Sequence, residues 1–205
     1  SRDIANTPPY LYDESDNLWS IYAQDQVAFA DRRALLTLSG RYDKWSDLDG
    51  EFTPRATLNV NLYEQKANLR LMAGTSFRRP SFDENYYFVR FPNGWLKGSQ
   101  LTATAEDGST IEGVTPDPEK LTAYEAGLRI HPDERTYVDV EVFRNTIKSN
   151  LGVVVYHASG DELNIGVANI GDRITLSGAE VEVKHNLLSG AEAFLNYTYQ
   201  RGTIK

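Results

Sequence analysis

The densest set of side chains able to recognise a small molecule lies between residues 79 and 119. Tyr86, Tyr87, Phe88, Arg90, Phe91, Trp95 and Lys97 fall within one short span. Aromatic rings beside cations suit planar, anionic or sugar-like ligands, through stacking, cation–π contact and charge-assisted hydrogen bonds. Tyr86, Tyr87, Arg90, Phe91, Trp95 and Lys97 are therefore the expected ligand contacts. The competing reading is that these rings pack the segment against its neighbours or sit at a membrane interface.

Catalytic and metal chemistry is much less well supplied. The three histidines, His131, His157 and His185, are far apart, the first and last beside short turns and His157 in a long connection. No shared metal site is expected from them. Asp83-Glu84 and Asp161-Glu162 are adjacent carboxylates in connections, where solvation is the ordinary state. No Ser-His-Asp order with a nucleophile elbow and no glycine-rich phosphate loop occurs. The chain has no cysteine, which removes disulfides, thiolate catalysis and cysteine–metal sites. No enzyme activity, cofactor or metal is expected. Lys and Arg number 21 against 29 Asp and Glu, for a net charge of -8. Such a balance repels nucleic acid, so no nucleic-acid partner is expected.

The elements that must carry the aromatic segment read as strands. Val138, Val140 and Val142 alternate with Asp139, Glu141 and Phe143; Ala179, Val181 and Val183 alternate with Glu180, Glu182 and Lys184. The same period of two runs through 55–62, 69–78 and 124–131, and no segment sustains a helical period. Eight strands are expected, over 17–30, 34–46, 52–63, 67–78, 120–131, 135–148, 172–186 and 190–201. Most have ten or more residues, longer than the usual soluble strand. A tilted strand needs roughly 9–11 residues to cross a bilayer.

Short polar turns at 31–33, 64–66, 132–134 and 186–189 alternate with the connections 47–51, 79–119 and 149–171. Outer-membrane barrels alternate short periplasmic turns with longer extracellular loops. On that pattern strand 17–30 runs inward, 190–201 returns outward, and 1–16 is the tail of an outer loop. Arg55, Arg70, Arg78, Glu125 and Arg129 then line the lumen, with Glu180 and Glu182, as structural charges. One of Arg78 and Arg79 is expected to pair with Glu125 or another carboxylate. Trp19, Tyr42, Trp45, Phe77, Tyr86, Tyr197 and Tyr199 fall toward outer ends, and Phe29, Tyr63 and Tyr137 toward inner ends, as aromatic girdles do. In strand 17–30 the face of Trp19, Ile21 and Ala23 also carries Asp25. Either Asp25 sits near an interface or a bulge shifts the register.

Gly74-Thr75-Ser76-Phe77-Arg78-Arg79-Pro80-Ser81-Phe82-Asp83-Glu84 and Pro118-Glu119-Lys120-Leu121-Thr122-Ala123-Tyr124-Glu125-Ala126-Gly127-Leu128 resemble two signatures of TonB-dependent outer-membrane receptors, F-R-x-P-S-F-x-E and P-E-x-x-x-x-Y-E-x-G. Tyr22-Ala23-Gln24-Asp25-Gln26, Leu38-Ser39-Gly40-Arg41-Tyr42-Asp43, Phe52-Thr53-Pro54-Arg55 and Ser177-Gly178-Ala179-Glu180-Val181-Glu182 resemble further strands of that family. The family's N-P-x-L-K-P-E is shortened here to Thr115-Pro116-Asp117-Pro118-Glu119. The resemblance covers about 18–201.

The resemblance implies a plugged barrel of about 22 strands, of which residues 1–205 are a slice without the plug. It implies outer-membrane lipid as surroundings, a Gram-negative cell, a small-molecule nutrient as ligand, and contact with the TonB complex through the missing plug segment. The expected ligand is a ferric siderophore, with haem, cobalamin or an oligosaccharide as the other choices. Ser1-Arg2-Asp3 opens a polar, proline-containing segment with no secretory signal, as expected of a trimmed chain or a piece. The fold class expected is all-β, with antiparallel transmembrane barrel strands. The alternatives are a small outer-membrane barrel enzyme or pore, and a soluble carbohydrate-binding β-protein.

Overall fold

A computed structural model describes residues 15–46, 48–63, 66–159, 162–171, 173–188 and 190–205, the side chains of 157–159 and 162 excepted. The expected outer tail, the turn residues 64–65 and 189, and Asp161 thus fall wholly or largely outside the described residues. In chain order the elements are β1 (Leu18–Phe29), β2 (Ala34–Trp45), β3 (Glu51–Leu62), β4 (Ala67–Arg78), α1 (Phe82–Tyr86), β5 (Phe88–Phe91), β6 (Gly94–Lys97), β7 (Ala103–Thr104) and β8 (Thr110–Ile111). They continue with β9 (Glu119–Ile130), β10 (Thr136–Lys148), β11 (Leu151–Ser159), β12 (Glu162–Asn169), β13 (Ile174–Asn186) and β14 (Glu192–Ile204). One eight-stranded sheet takes the order β1-β2-β3-β4-β9-β10-β13-β14. These are the eight strands read from the alternation, with ends moved by at most three residues. Strand ends fray into turns, so such shifts are ordinary.

The chain divides into two compact units. The sheet unit comprises 17–76, 121–147 and 174–205. Its β1–β2 register runs unbroken from Leu18 opposite Trp45 to Phe29 opposite Ala34. Directly opposed residues share a face. One face therefore carries Ile21 with Tyr42, Ala23 with Gly40, and Val27 with Leu36. It continues through Leu58 with Leu71, Val140 with Val181, and Val183 with Leu195. The other face carries Gln24 with Ser39, Ser39 with Arg55, and Asn59 with Arg70.

The apolar face is bare: Ile21 is 64 %, Phe52 61 % and Tyr197 64 % exposed. A soluble sandwich would bury this face against a second sheet. A transmembrane barrel turns it to lipid instead. Because the β1–β2 register has no bulge, Asp25 opposes Leu38 on this apolar face. The bulge considered for this strand does not occur.

Local chemistry closes the turns. At 132–135 the Asp133 carboxylate accepts from the Arg135 and Thr136 N–H groups at 2.8 and 2.7 Å, and from the Thr136 hydroxyl at 2.9 Å. These bonds hold its pKa below the usual carboxylate value.

The loop unit comprises 1–16, 77–120 and 148–173. The long connections are folded. They build a second sheet in the order β11-β12-β6-β5, plus the pair β7–β8. β12 and β6 pair in parallel, from Leu163 opposite Gly94 to Gly166 opposite Lys97. Gly94 has φ 146, and a Cβ there would lie 2.0 Å from the Leu163 carbonyl oxygen. Only glycine permits both that backbone angle and that approach. Phe88, Trp95, Leu101 and Ala103 form the buried cluster, with Tyr86 and Ile111 packed against it.

Candidate functional site

Arg78 and Glu84 of the first signature segment meet Glu119 of the second in one cluster of the loop unit. Ser81 caps α1: its hydroxyl accepts from the Glu84 N–H at 3.1 Å, and the Glu84 carboxylate accepts from the Ser81 N–H at 2.8 Å. This reciprocal pair satisfies two of the donors that a helix start leaves open. Glu84 also accepts twice from Arg78, at 2.8 and 3.0 Å. The same guanidinium donates through Nε to Glu119 at 2.7 Å. The other Glu119 oxygen accepts from the Leu151 N–H at 2.7 Å. One arginine thus ties the end of β4 to α1 and to the start of β9, and Glu119 extends the tie to β11. Burial pushes the Glu84 pKa up, but the bonds from Arg78 and Ser81 outweigh it and leave the carboxyl below its ordinary value. The partners of Arg78 are therefore Glu84 and Glu119, carboxylates other than Glu125, as the expectation of Glu125 or another carboxylate allowed. Arg79 pairs with Asp16 and stands 5.5 Å from the Phe82 ring.

The six residues singled out as ligand contacts separate by burial. Tyr87 and Arg90 are exposed; Tyr86 and Phe91 are half-buried. The Tyr86 hydroxyl donates to Gln100 at 3.2 Å. Trp95 and Lys97 are only 2 % and 1 % exposed. Both, expected as ligand contacts, lie in the packed interior. Parallel pairing of β6 with β12 puts the Trp95 ring and the Lys97 stem under the sheet. Lys97 Nζ donates to the carbonyls of Leu101 and Glu112 at 2.6 and 3.1 Å and lies 5.1 Å from the Tyr156 ring. Burial brings the Lys97 pKa down to about 8.

On the polar face of the sheet unit, Arg70 pairs with Glu141, and Arg129 with Asp139 at 2.8 Å. Arg129 also stands 5.1 Å from the Tyr137 ring. Arg55 lines a depression of about 490 Å³ with Tyr22, Thr37, Ser39 and Arg41. Arg41 donates to Asp43 at 2.7–2.9 Å, and the Ser20 hydroxyl donates to the same carboxylate at 2.6 Å. Glu125 is half-buried in β9. A feature not singled out in advance is a carboxylate quartet. Asp139 opposes Glu182, and Glu141 opposes Glu180. The four line a depression of about 280 Å³ with Asn196 and Thr198. The alternation at 138–142 and 179–183 displays each carboxylate, but only the β10–β13 register sets them face to face. Among the described residues no group of three His, Asp or Glu side chains is arranged to hold a metal.

A family profile described as "TonB dependent receptor-like, beta-barrel" matches residues 2–205. None of the curated proteins compared matches the chain. Among solved structures, the siderophore receptor PirA from Pseudomonas aeruginosa aligns with TM-score 0.74 and 17 % identity, over 92 % of this chain and 35 % of that one. A mutant of the ferric enterobactin receptor PfeA from Pseudomonas aeruginosa, in complex with enterobactin, gives 0.73 and 17 %, over 91 % and 27 %. The FrpB iron transporter from Neisseria meningitidis gives 0.63 and 14 %, over 92 % and 26 %. The chain spans about a third or less of each of these proteins. At such identity the structures show a common fold, while the profile spans nearly every residue. The chain belongs to the TonB-dependent receptor-like β-barrel family.

Proposed function

We propose that residues 1–205 form part of the barrel wall and outer loops of a Gram-negative outer-membrane receptor. The receptor binds a scarce nutrient outside the cell and imports it with energy supplied through TonB. A ferric siderophore is the foremost ligand; haem, cobalamin and oligosaccharides are the other classes. The observation that carries this reading is the bare apolar face of an eight-stranded sheet whose strands have 12 or 13 residues. That face suits lipid, and the family is one of receptors. The siderophore choice leans on the siderophore receptors and iron transporter among the structural neighbours.

In this reading the cluster of Arg78, Glu84 and Glu119 is a structural junction. Tyr87 and Arg90, the exposed members of the aromatic segment, are the ligand contacts. The Arg55, Arg70 and Arg129 side chains line the lumen. No step of covalent chemistry is assigned to the chain.

The test is uptake in cells lacking the gene, grown under iron limitation with a panel of ferric siderophores. Loss of uptake of one siderophore, restored by the intact gene, supports the reading. Unchanged uptake of every siderophore, with lost uptake of haem, cobalamin or a sugar, replaces the ligand. Recovery of the intact protein in the soluble fraction without detergent defeats the receptor reading.

A further inference from the structure

The apolar face of the sheet unit ends in cations where β10, β13 and β14 run side by side. The two registers of these strands are unbroken, so they fix which residues share that face. Val140, Val181 and Tyr197 form one row across it, and Val142, Ala179 and Tyr199 the next. The row that follows is Arg144, Ser177 and Arg201, and a row of three threonines lies beyond it. Both arginines are exposed. Neither guanidinium has a hydrogen bond, an ion pair or a ring contact among the described residues. The carboxylates of β10 and β13, Asp139, Glu141, Glu180 and Glu182, belong to the other face.

We infer that Arg144, Ser177 and Arg201 seat the phosphate of a membrane lipid headgroup, whose acyl chains lie along Val142, Tyr199 and the apolar rows before them. The inference rests on the receptor reading above, which turns this face to lipid and this end of β14 outward. Neighbouring strands are about 4.8 Å apart, so the two arginine backbones stand about 10 Å apart with Ser177 between them. Long side chains from both flanks can close on one anion above the serine, whose hydroxyl supplies a further donor. Guanidinium is planar and meets phosphate oxygens two at a time, which makes arginine the fitting cation for that anion. Two cations on a face without a carboxylate partner set the charge of the ligand. The neighbouring rows set its class. A soluble anion gains nothing from the bare apolar side chains beside the arginines, Val142 at 51 % and Tyr199 at 56 % exposed. A lipid uses both parts. Tyrosine is enriched where headgroups meet hydrocarbon, and an arginine anchored there extends its charged end toward the headgroups. A charge on the lipid face costs free energy that grows with depth, and a bound phosphate offsets it.

Lipid titration of the full-length receptor tests this, with the protein extracted from membranes in an uncharged detergent and bound lipid counted by native mass spectrometry. The probes are phosphatidic acid, diacylglycerol with the same chains, and inorganic phosphate. The parent should bind phosphatidic acid about tenfold more tightly than diacylglycerol, and inorganic phosphate should not displace it. The double variant Arg144→Gln, Arg201→Gln should lose about tenfold in affinity for phosphatidic acid, and Arg201→Gln alone about threefold. Unchanged affinity in both variants, equal affinity of the parent for the two lipids, or displacement by inorganic phosphate overturns the inference. So does a membrane protein that co-purifies with the parent and is lost from the double variant. Heat-modifiable migration shows that each variant barrel is folded, and the single variant decides the matter should the double variant misfold. Membrane fractionation of the parent reports separately on the receptor reading.

Discussion

Arg78 and Glu119, 41 positions apart, meet at 2.7 Å from guanidinium Nε to carboxylate. The bond joins the last residue of β4 to the first of β9, across the whole 79–118 connection. Replacing Arg78 by Ala removes the bonds to Glu84 and Glu119 together. Arg78 is about half exposed, so screening keeps each pair near the surface scale, and the expected loss is about 1 kcal/mol. Hydrogen exchange should rise in 79–119 and around Leu151 while β2 and β3 stay protected. Equal rises in the sheet unit would contradict a junction confined to the loops.

Acid should open the same junction. Glu84 has its folded pKa lowered, so its contribution to stability is present above the unfolded value of about 4.3 and is lost as pH falls through the folded value. Limited proteolysis between pH 6 and pH 3 should show 79–119 becoming sensitive only at the acid end. Glu84→Gln should be more sensitive than the parent at neutral pH and should change less across the range.

Lys97 gives the same sign of pH dependence in a higher range. Its folded pKa is brought down to about 8. Between that value and the unfolded value of about 10.4 the unfolded chain holds the extra proton, so the loop unit gains stability as pH rises. Lys97→Met should abolish that gain. It should also leave the Leu101 and Glu112 carbonyls without their donor, at a cost of about 2 kcal/mol. Thermal melts followed by loop-unit proteolysis across pH 7–10 would check both effects. A pH-independent parent would contradict the assignment.

Burial also separates the aromatic residues into two kinds of variant. Trp95→Ala should cost about 3–5 kcal/mol and unfold the loop unit. Tyr87→Ala and Arg90→Ala should leave proteolytic stability unchanged while weakening siderophore binding by roughly tenfold, about 1.4 kcal/mol. Unchanged affinity in both surface variants, measured by equilibrium titration on detergent-solubilised receptor, would remove them from the site.

Asp25 lies among Ile21, Ala23 and Val27 on the face assigned to lipid. A charge there opposes insertion, less for an acid than for Lys or Arg, so Asp25→Leu should stabilise the folded barrel by on the order of 1 kcal/mol. A higher guanidinium midpoint in vesicles is the expected result. A lower midpoint would show that Asp25 is held by a cation from a neighbouring strand.

The amino-acid sequence alone determined the strands of the wall and, outside 17–30, the face each residue takes. The reason is local: in an extended chain neighbouring side chains point to opposite sides, so Val138-Asp139-Val140-Glu141 declares its two faces without reference to any partner. The signature residues around Phe77–Glu84 and Pro118–Gly127 were legible in the same way. Tertiary structure alone decided where Trp95 and Lys97 go. Their strand is four residues long and pairs in parallel with β12, some seventy positions later, and no local period encodes such a partner. It also decided that Glu141 faces Glu180, and that Asp25 stays on the apolar side, because register belongs to the pair of strands and not to either one.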